Sequence, residues 1–384
     1  MMATDERPPF WRNVKVLGWV YQLTVLGVVV AIISYLISNF RTNSQKLGIP
    51  TGFEFLDQPA GFPIAGSGFR TSQPVKDALL VGARNTLYVA LAGIVLATIL
   101  GVLIGIARLS GNWLVSTGAR VFVEILRNIP LLVIVTFAYL ALVLSVLPRI
   151  EDAWEVGGVA IFSNRAAAVP WYRGSTLWLV VALVLAASIA WLMVLWRRRI
   201  SDRTGATAYS GWWAIGSFVV VFIAVSAAAG LRVTTPDLDG RTLAGGIEMT
   251  PEFLALLLAL TIYTASHIAE IVRGSIQAVT KGQQEAADAL AFSAAQRMWY
   301  IILPQAMRIA IPPLGNQYLN LFKNSSLGAV ISYFELTKVS TTAVGNGAPA
   351  VPVFTVLLLI YLAGSLILSA FVNLANRRLQ LVER

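Results

Sequence analysis

The chain has no cysteine and a single histidine, His267, among its 384 residues. Without thiols it can form neither a disulfide nor a thiolate metal site. One imidazole cannot supply a multi-histidine metal site, nor serve a Ser-His-Asp triad and leave ligands to spare. These absences exclude the commonest metal centres and leave little chemistry for a hydrolytic active site.

Charged residues are also scarce. They make up 12% of the sequence, whereas soluble domains carry about a quarter. Hydrophobic residues make up 57% and the mean hydropathy is +0.72, which indicates lipid as the solvent. The net charge is +10, but Lys and Arg of a membrane protein gather in its cytoplasmic loops. We therefore expect no nucleic-acid partner.

Long apolar runs predict an all-α membrane protein with about eight transmembrane helices, each of roughly 20 residues. The first run is too long for the apolar part of a signal peptide, and we interpret it as a signal anchor. The third, sixth and seventh runs carry charged residues. The predicted spans are 16–38, 79–107, 121–147, 175–196, 211–230, 252–279, 314–335 and 352–375.

Charge bias in the loops predicts the orientation. More Lys and Arg lie on the side of the N-terminus than on the other side, and the run Arg197 to Arg199 directly follows an apolar span. Acidic residues concentrate on the opposite side. We therefore expect both termini in the cytoplasm. The outer segments 39–78 and 148–174 are predicted to be surface loops, because they are rich in turn-forming residues.

The segment 281–318, between the sixth and seventh spans, is the most informative part of the sequence. Its first half is rich in alanine and long side chains and predicts a short amphipathic helix. Glu285 and Asp288 are predicted to lie near the helix N-terminus, where the dipole favours acids. The apolar side of the predicted helix carries Ala287, Leu290, Ala291 and Ala294.

Three prolines follow this helix and predict where it and its successor end. Pro304 and the pair Pro312 and Pro313 are expected to break the chain into short segments. Pattern alone leaves two interpretations open. The helix either docks in a groove of another protein or lies in the membrane interface.

The segment resembles the EAA motif of permease subunits of bacterial ABC importers. That motif reads Glu-Ala-Ala, three residues, Gly, then about nine residues and Ile-x-Leu-Pro. Ala291 stands where the family has glycine, and we expect alanine not to permit a positive φ. The stretches 83–110, 123–132 and 269–279 look like core helices of the polar-amino-acid subgroup. The resemblance assigns coupling to the ATPase to Glu285, Ala286, Ala287, Ala291, Leu303 and Pro304.

The resemblance implies the type I importer permease fold, with a core of five helices. The core would consist of 79–147 and 251–384, with the coupling loop at 281–313. Residues 1–78 would add an N-terminal helix and an outer loop, and 148–250 would insert an outer segment and a helical hairpin. Two inserted spans preserve the direction of every later span, so the coupling loop stays cytoplasmic. This long form resembles the general L-amino-acid permeases of the bacterial inner membrane.

The same resemblance implies partners. The sequence lacks the Gly-Lys-Ser/Thr of a phosphate-binding loop, so we expect no cofactor on this chain and ATP with Mg on a partner. The partners would be a second permease subunit (related or identical), a dimeric cytoplasmic ATPase and a periplasmic amino-acid-binding protein, besides membrane lipid. The expected function is import of L-amino acids, driven by ATP hydrolysis on separate subunits. The binding protein would largely set which amino acids are carried.

Ionisable residues inside spans are functional by default. Glu124 with Arg127 and Glu270 with Arg273 share a three-residue spacing, which places each pair on one helix face. Two interpretations are open. The pairs either neutralise charge within or between helices, or form a salt bridge between helices near an inner gate.

A path for amino acids needs hydrogen-bond donors for a carboxylate and acceptors for an ammonium group. The candidates are His267, Glu270, Asn324, Ser325 and Ser326. A polar run inside an apolar span is costly unless it faces a cavity, which favours 324–326. The alternatives are a simple hydrogen bond for His267 and a helix break for 324–326.

Ala97, Gly101 and Gly105 give the second span a face of small residues for close helix contact, within this subunit or with another. Two other classes of function compete with the importer. A secondary amino-acid transporter or channel, independent of an ATPase, would need no docking loop. A membrane enzyme would need a nucleophile and a base that the sequence does not offer.

Overall fold

The computed structural model describes residues 14–205, 209–240 and 242–379. Helices dominate it, and the predicted fold class is confirmed. The helices are α1 Val14–Leu47, α2 Val75–Ala107, α3 Trp113–Asn128, α4 Leu131–Phe137, α5 Thr176–Thr204, α6 Ser210–Ala228, α7 Pro251–Gln277, α8 Lys281–Ala289, α9 Ala294–Arg297, α10 Leu303–Asn324, α11 Leu336–Gly345 and α12 Ala350–Leu379. Shorter helical turns are the 3-10 segments Glu54–Asp57, Ile150–Asp152 and Ser325–Ile331 and the π-helical segments Ala138–Val146 and Met298–Ile302.

Within the described residues, six helices are long and apolar enough to cross a membrane, or seven with one bent pair. The six are α1, α2, α5, α6, α7 and α12. The predicted count of eight is therefore not confirmed. Residues 1–13 and 380–384, on which part of the predicted orientation rests, lie outside the described residues. The division of the chain into domains stays a prediction.

The centre of the fold is the contact between α2 and α7. Ala97, Gly101 and Gly105 are buried on α2. A Cβ added at Gly101 would lie 2.6 Å from the Cβ of Ile268, and one at Gly105 would lie 2.8 Å from that of Val272. These glycines therefore let the two backbones approach closely. The small-residue face packs within this chain, which confirms one of the two alternatives for it.

The third predicted span, 121–147, is not one straight helix. α3 ends at Asn128, and the apolar helix that begins at Leu131 runs at 103° to it. Ile129 is extended because Pro130 disfavours helical geometry in the residue before it. The bend places the charged residues of α3 across α7 instead of along a straight span.

The seventh predicted span, 314–335, is also wrong. α10 runs from Leu303 to Asn324 and is followed by the 3-10 segment Ser325–Ile331. The next residue, Ser332, has a positive φ of 63°. Pro304 lies in the first turn of α10, where no N–H partner is required. Pro312 and Pro313 lie inside the helix without ending it. Packing of α10 against α7 and α12 stabilises the helix despite the hydrogen bonds that the two prolines remove.

The hairpin of α5 and α6 packs mainly on itself. α6 buries no residue, and α5 buries only Ala182 and Ala186. Both helices are therefore apolar on nearly all sides, as lipid-facing helices are.

Short strands lie on both sides of the hairpin, where the sequence predicted loops. Four of them form an antiparallel sheet in the order β1-β2-β3-β8. A separate pair, β4 with β5, lies at the base of the hairpin. Three-residue strands between glycine turns carry too little periodicity to predict. The strands are β1 Trp154–Val156, β2 Ala160–Phe162, β3 Ala167–Val169, β4 Trp171–Arg173, β5 Arg232–Thr234, β6 Asp237–Asp239, β7 Thr242–Ala244 and β8 Ile247–Met249.

The outer segment 39–78 is more than a surface loop. Phe55, Phe62 and Ile64 are buried in a second apolar cluster with residues of α2, α11 and α12. The glycines and prolines of the segment produce turns, but its aromatic residues fasten it to the core. Burial of three large side chains contributes several kcal/mol by the usual estimate of about 2 kcal/mol each.

Candidate functional site

The coupling loop begins with a short exposed helix. α8 follows directly after α7, and Glu285 and Ala286 are exposed on it. Ala287 is fully buried. The helix starts at Lys281, so Glu285 and Asp288 lie beyond its first turn. The prediction that both acids lie near the helix N-terminus is therefore wrong.

Ala291 adopts the left-handed conformation, with φ of +55°. α8 ends at Ala289, and the N–H of Phe292 donates to the carbonyl of Ala287 at 3.1 Å. This is the helix ending in which glycine usually occurs. Alanine keeps the turn at a cost of about 1 kcal/mol, so the expectation that it does not permit a positive φ is wrong. Because the helix has ended, Leu290 is exposed instead of continuing the apolar side.

Two polar contacts fasten the exposed helix α8 to the chain that follows it. Asp288 forms an ion pair with Arg297 at the end of α9. Gln305 of α10 donates from Nε2 to Oε1 of Gln283 at 3.3 Å. The short helix α9 is itself held by a capping box between Ser293 and Gln296.

Apolar packing completes the attachment. Ile302 and Ala306 are buried together with Val279, which lies between α7 and α8. Leu303 and Pro304, the last two residues of the motif, are half-buried in the first turn of α10. A displacement of α8 would therefore pass to α7 by chain connection and to α10 by these contacts.

Glu270 is the centre of a cluster of charges. Its carboxylate pairs with Arg273 one turn along α7 and with Arg108, the residue that directly follows α2. Arg127 of α3 lies 3.7 Å away. One acid thus joins three cations from three helices. Contacts of Glu270 within α7 and between helices are both present, and their place at an inner gate stays a prediction.

Glu124 does not pair with Arg127, although both lie on α3. Both line a cleft of about 310 Å³, together with Arg108, Asn128 and Glu270. Within the described part of the chain, Glu124 has no ion pair, and its side chain is exposed. Asn128 donates from its side-chain amide to the carbonyl of Glu124 at 2.7 Å. The lining of the cleft therefore contains both carboxylates, of Glu124 and Glu270, and guanidinium groups, of Arg108 and Arg127.

His267 is half-buried one turn before Glu270. Its Nδ1 lies 3.0 Å from the carbonyl oxygen of Tyr263, which can only accept a hydrogen bond. The two rings are also in contact, with centroids 4.6 Å apart. The simple hydrogen bond that the sequence left open for His267 is thus present, and its place along a substrate path stays a prediction.

The polar run 324–326 does not form an open polar surface. Ser325 is completely buried and donates to the carbonyl of Phe322 at 2.7 Å. Ser326 donates to the carbonyl of Lys323 at 2.9 Å. Asn324 is half-buried in the last turn of α10. The run is therefore the end of a helix, which was the alternative interpretation, and its role along a substrate path stays a prediction.

Glu335 is a buried acid that the sequence analysis missed. It lies between the spanning helices, where its carboxylate accepts hydrogen bonds from the N–H groups of Thr337 and Lys338, both at 2.8 Å. Tyr361 of α12 donates to it at 2.9 Å. The signal was present, because Glu335 is the single charged residue of the stretch 324–337.

Comparison with known proteins identifies relatives of the whole chain. The general L-amino acid transport system permease protein of Rhizobium johnstonii is 39% identical and aligns over 95% of this chain and 92% of its own length. A putative amino-acid ABC transporter permease protein of Escherichia coli is 36% identical over 97% of each chain. The glutamate/glutamine/aspartate/asparagine transport system permease protein of Rhodobacter capsulatus is 34% identical over 94% of this chain and 93% of its own length.

A family also matches the chain, over residues 190–381, and it is described as the inner membrane component of binding-protein-dependent transport systems. That range contains the coupling loop with α8 and the full length of α7, α10 and α12. The apolar helices agree with a multi-pass protein of the inner membrane. The chain belongs to the family of binding-protein-dependent transport system inner membrane components.

Proposed function

We propose that this chain is the translocation subunit of an ATP-driven importer that carries L-amino acids from the periplasm to the cytoplasm. The observation that supports it best is α8, an exposed helix with the EAA sequence, fastened to two core helices. Relatives of nearly full length are named as amino-acid permeases. ATP and Mg bind to a separate ATPase dimer, because the sequence of this chain lacks the Gly-Lys-Ser/Thr of a phosphate-binding loop.

The mechanism follows from what α8 touches. Glu285 and Ala286 contact the ATPase, and closure of the ATPase on ATP displaces α8. The displacement reaches α10 through the Gln283–Gln305 contact, and it reaches α9 through the ion pair of Asp288 with Arg297. It reaches α7 through the short link between α7 and α8. Rigid attachment is essential here, because a flexible tether would absorb the motion.

The charge cluster is the second moving part. Because Glu270 lies on α7 and pairs with Arg108 and Arg127, a shift of α7 changes the contacts of α2 and α3 together. We assign Glu124, Arg127, Glu270 and Arg273 to the inner gate. His267 and the run 324–326 belong to the path between the outer and inner sides.

The complete importer contains a second permease subunit, related or identical, and a periplasmic binding protein that delivers the amino acid. Both termini and α8 are cytoplasmic, and the strands on both sides of the hairpin lie outside. This sidedness follows the charge bias of the loops, in which the run Arg197 to Arg199 lies at the inner end of α5.

Co-purification tests the proposal. The tagged chain, solubilised from its native membrane, should carry an ATPase subunit, and Glu285→Arg should remove it because the substitution reverses the charge on the docking helix. Glu248→Arg, which makes the same change on exposed strand β8, is the control and should retain the ATPase. An ATPase that is absent from the unsubstituted chain, or retained by Glu285→Arg, would favour a secondary transporter or channel.

A further inference from the structure

One face of α10 is polar and open. Asn316, Asn320 and Lys323 are exposed, and their spacing of four and three residues places them in one stripe. The other sides of the same stretch are packed, with Gly315, Leu321 and Phe322 buried. We call the three exposed residues the polar stripe of α10.

Lipid is the wrong environment for this stripe. α10 has 22 residues, which gives a length of about 33 Å, enough to cross the hydrocarbon core. It does not belong to the helices of the described chain that are apolar enough to be spans. Two amide side chains and an ammonium group facing hydrocarbon would each cost several kcal/mol by a rough estimate. The stripe must therefore face water or polar protein.

The hairpin and the outer face of α2 show what a lipid-facing surface of this chain looks like. The middle of α6 exposes Ile215, Val219, Val220 and Ile223, and α2 exposes Leu96, Ile99 and Leu103. The polar stripe departs from this composition on a helix that packs in the core. The difference points to a water-filled path on that side of α10.

Lys323 gives the stripe its charge. Among the residues that the structure describes, none pairs with its ammonium group. Its position in the last turn of α10 has a simpler explanation, because a cation there interacts favourably with the helix dipole. That explanation accounts for Lys323 alone and leaves the two asparagines one and two turns earlier without a reason.

We propose that the polar stripe of α10, Asn316, Asn320 and Lys323, lines a water-filled path for amino acids, with Lys323 as the fixed charge that attracts the substrate carboxylate. The path assignment rests on the proposed function. It extends the proposed lining from the run 324–326 to the exposed residues that precede it. The amide groups would exchange hydrogen bonds with the passing substrate and its water.

The absence of cysteine from the sequence makes a direct test available. Asn316→Cys and Asn320→Cys, each the only thiol of the assembled complex once its partners are made cysteine-free, are treated with charged, membrane-impermeant methanethiosulfonates. Val220→Cys in the middle of α6 is the control, exposed but apolar. Because only an ionised thiol reacts and ionisation requires water, we expect the stripe thiols to react at least about tenfold faster. Rates equal to that of Val220→Cys would overturn the proposal.

The charge of Lys323 is measured with the same thiols. In the Asn320→Cys background, the ratio of rates with an anionic and a cationic reagent should fall by about tenfold on Lys323→Gln, because one nearby positive charge is removed. Lys338→Gln removes a charge on α11, where Nζ contacts Ser332, and should change the ratio by less than about twofold. An unchanged ratio in Lys323→Gln would show a helix-end charge that does not face the path.

Substrate protection separates this inference from the proposed function. In the complex with its binding protein and ATP, a mixture of L-amino acids should slow modification of Asn320→Cys, and the D-enantiomers should not. If the thiols react rapidly but substrate does not protect them, the path proposal is refuted. Co-purification of the ATPase would be unaffected by that result. Protection together with a failed co-purification would instead refute the coupling to an ATPase.

Discussion

Two pairs of packed helices, α2 with α7 and α5 with α6, are similar in apolar content and opposite in packing. All four helices are long and apolar enough to cross a membrane. More than half of the most apolar stretch of α7 is buried, whereas no part of the most apolar stretch of α6 is buried. The core pair meets through Gly101 and Gly105, whereas Gly216 of α6 has nothing within 4 Å of an added Cβ.

The difference shows that hydropathy indicates which segments are membrane helices, whereas small residues determine which of those helices pack closely together. In lipid no hydrophobic force draws two apolar helices together, so close contact depends on backbone approach and polar groups. The core pair has both, in its glycines and in the cluster around Glu270. In the proposed mechanism an ATPase that displaces α8 would therefore act on a rigid unit. The hairpin can be added to the chain without disturbing that unit.

The largest effect is expected from filling the core contact. Gly101→Leu must displace Ile268 and should lower the free energy of unfolding by about 3 kcal/mol, because the side chain has no room. Gly216→Leu in the hairpin should change it by less than about 0.5 kcal/mol. Thermal unfolding in detergent, followed by the loss of folded complex on gel filtration, measures both. Equal effects of the two substitutions would remove the distinction between core and hairpin.

Removing the central acid comes next. Glu270→Gln leaves three cations without their shared partner and should cost about 2 kcal/mol, less than a fully buried pair because the side chain is partly exposed. Asp202→Asn, which neutralises an exposed acid of α5, should cost less than about 0.5 kcal/mol. Chemical denaturation of the purified complex compares them. A cost for Glu270→Gln no larger than that of Asp202→Asn would show that the cluster adds nothing to the core.

The smallest effects are expected at two helix ends with a positive φ, one occupied by alanine and the other by glycine. Ala291→Gly should raise the free energy of unfolding by about 1 kcal/mol, because glycine adopts a positive φ without steric cost. Gly205→Ala at the end of α5, where φ is +69°, should lower it by a similar amount, about 1 kcal/mol. Opposite shifts of the midpoint temperature would agree with both. A loss of stability in Ala291→Gly would contradict the left-handed turn.

Much of the fold could be predicted from the sequence, because long apolar runs and the pairing of Glu270 with Arg273 depend on local spacing. The bend at Pro130 and the continuous helix through Pro312 and Pro313 could not. Proline disfavours helical geometry at both places. Tertiary packing determines that the chain bends at Pro130 and remains helical through Pro312 and Pro313. The strands beside the hairpin were missed for a related reason, since three residues carry almost no pattern.

The candidate site divides along the same line. The EAA sequence located α8 and its exposed Glu285, since that motif is read along the chain. The sequence did not indicate which polar residues earlier in α10 are exposed, because exposure depends on which face packs against α7 and α12. Sequence alone could not distinguish the exposed Lys323 from the buried Ser325 two residues later.

Uptake of labelled amino acids into proteoliposomes tests most directly whether α8 couples this chain to an ATPase. The vesicles contain the purified complex, with the binding protein on one side and ATP supplied on the side of the ATPase. We predict uptake that requires ATP, is abolished by Glu285→Arg and survives Glu248→Arg. Uptake that proceeds without ATP, or that continues in Glu285→Arg, would contradict the coupling role of α8.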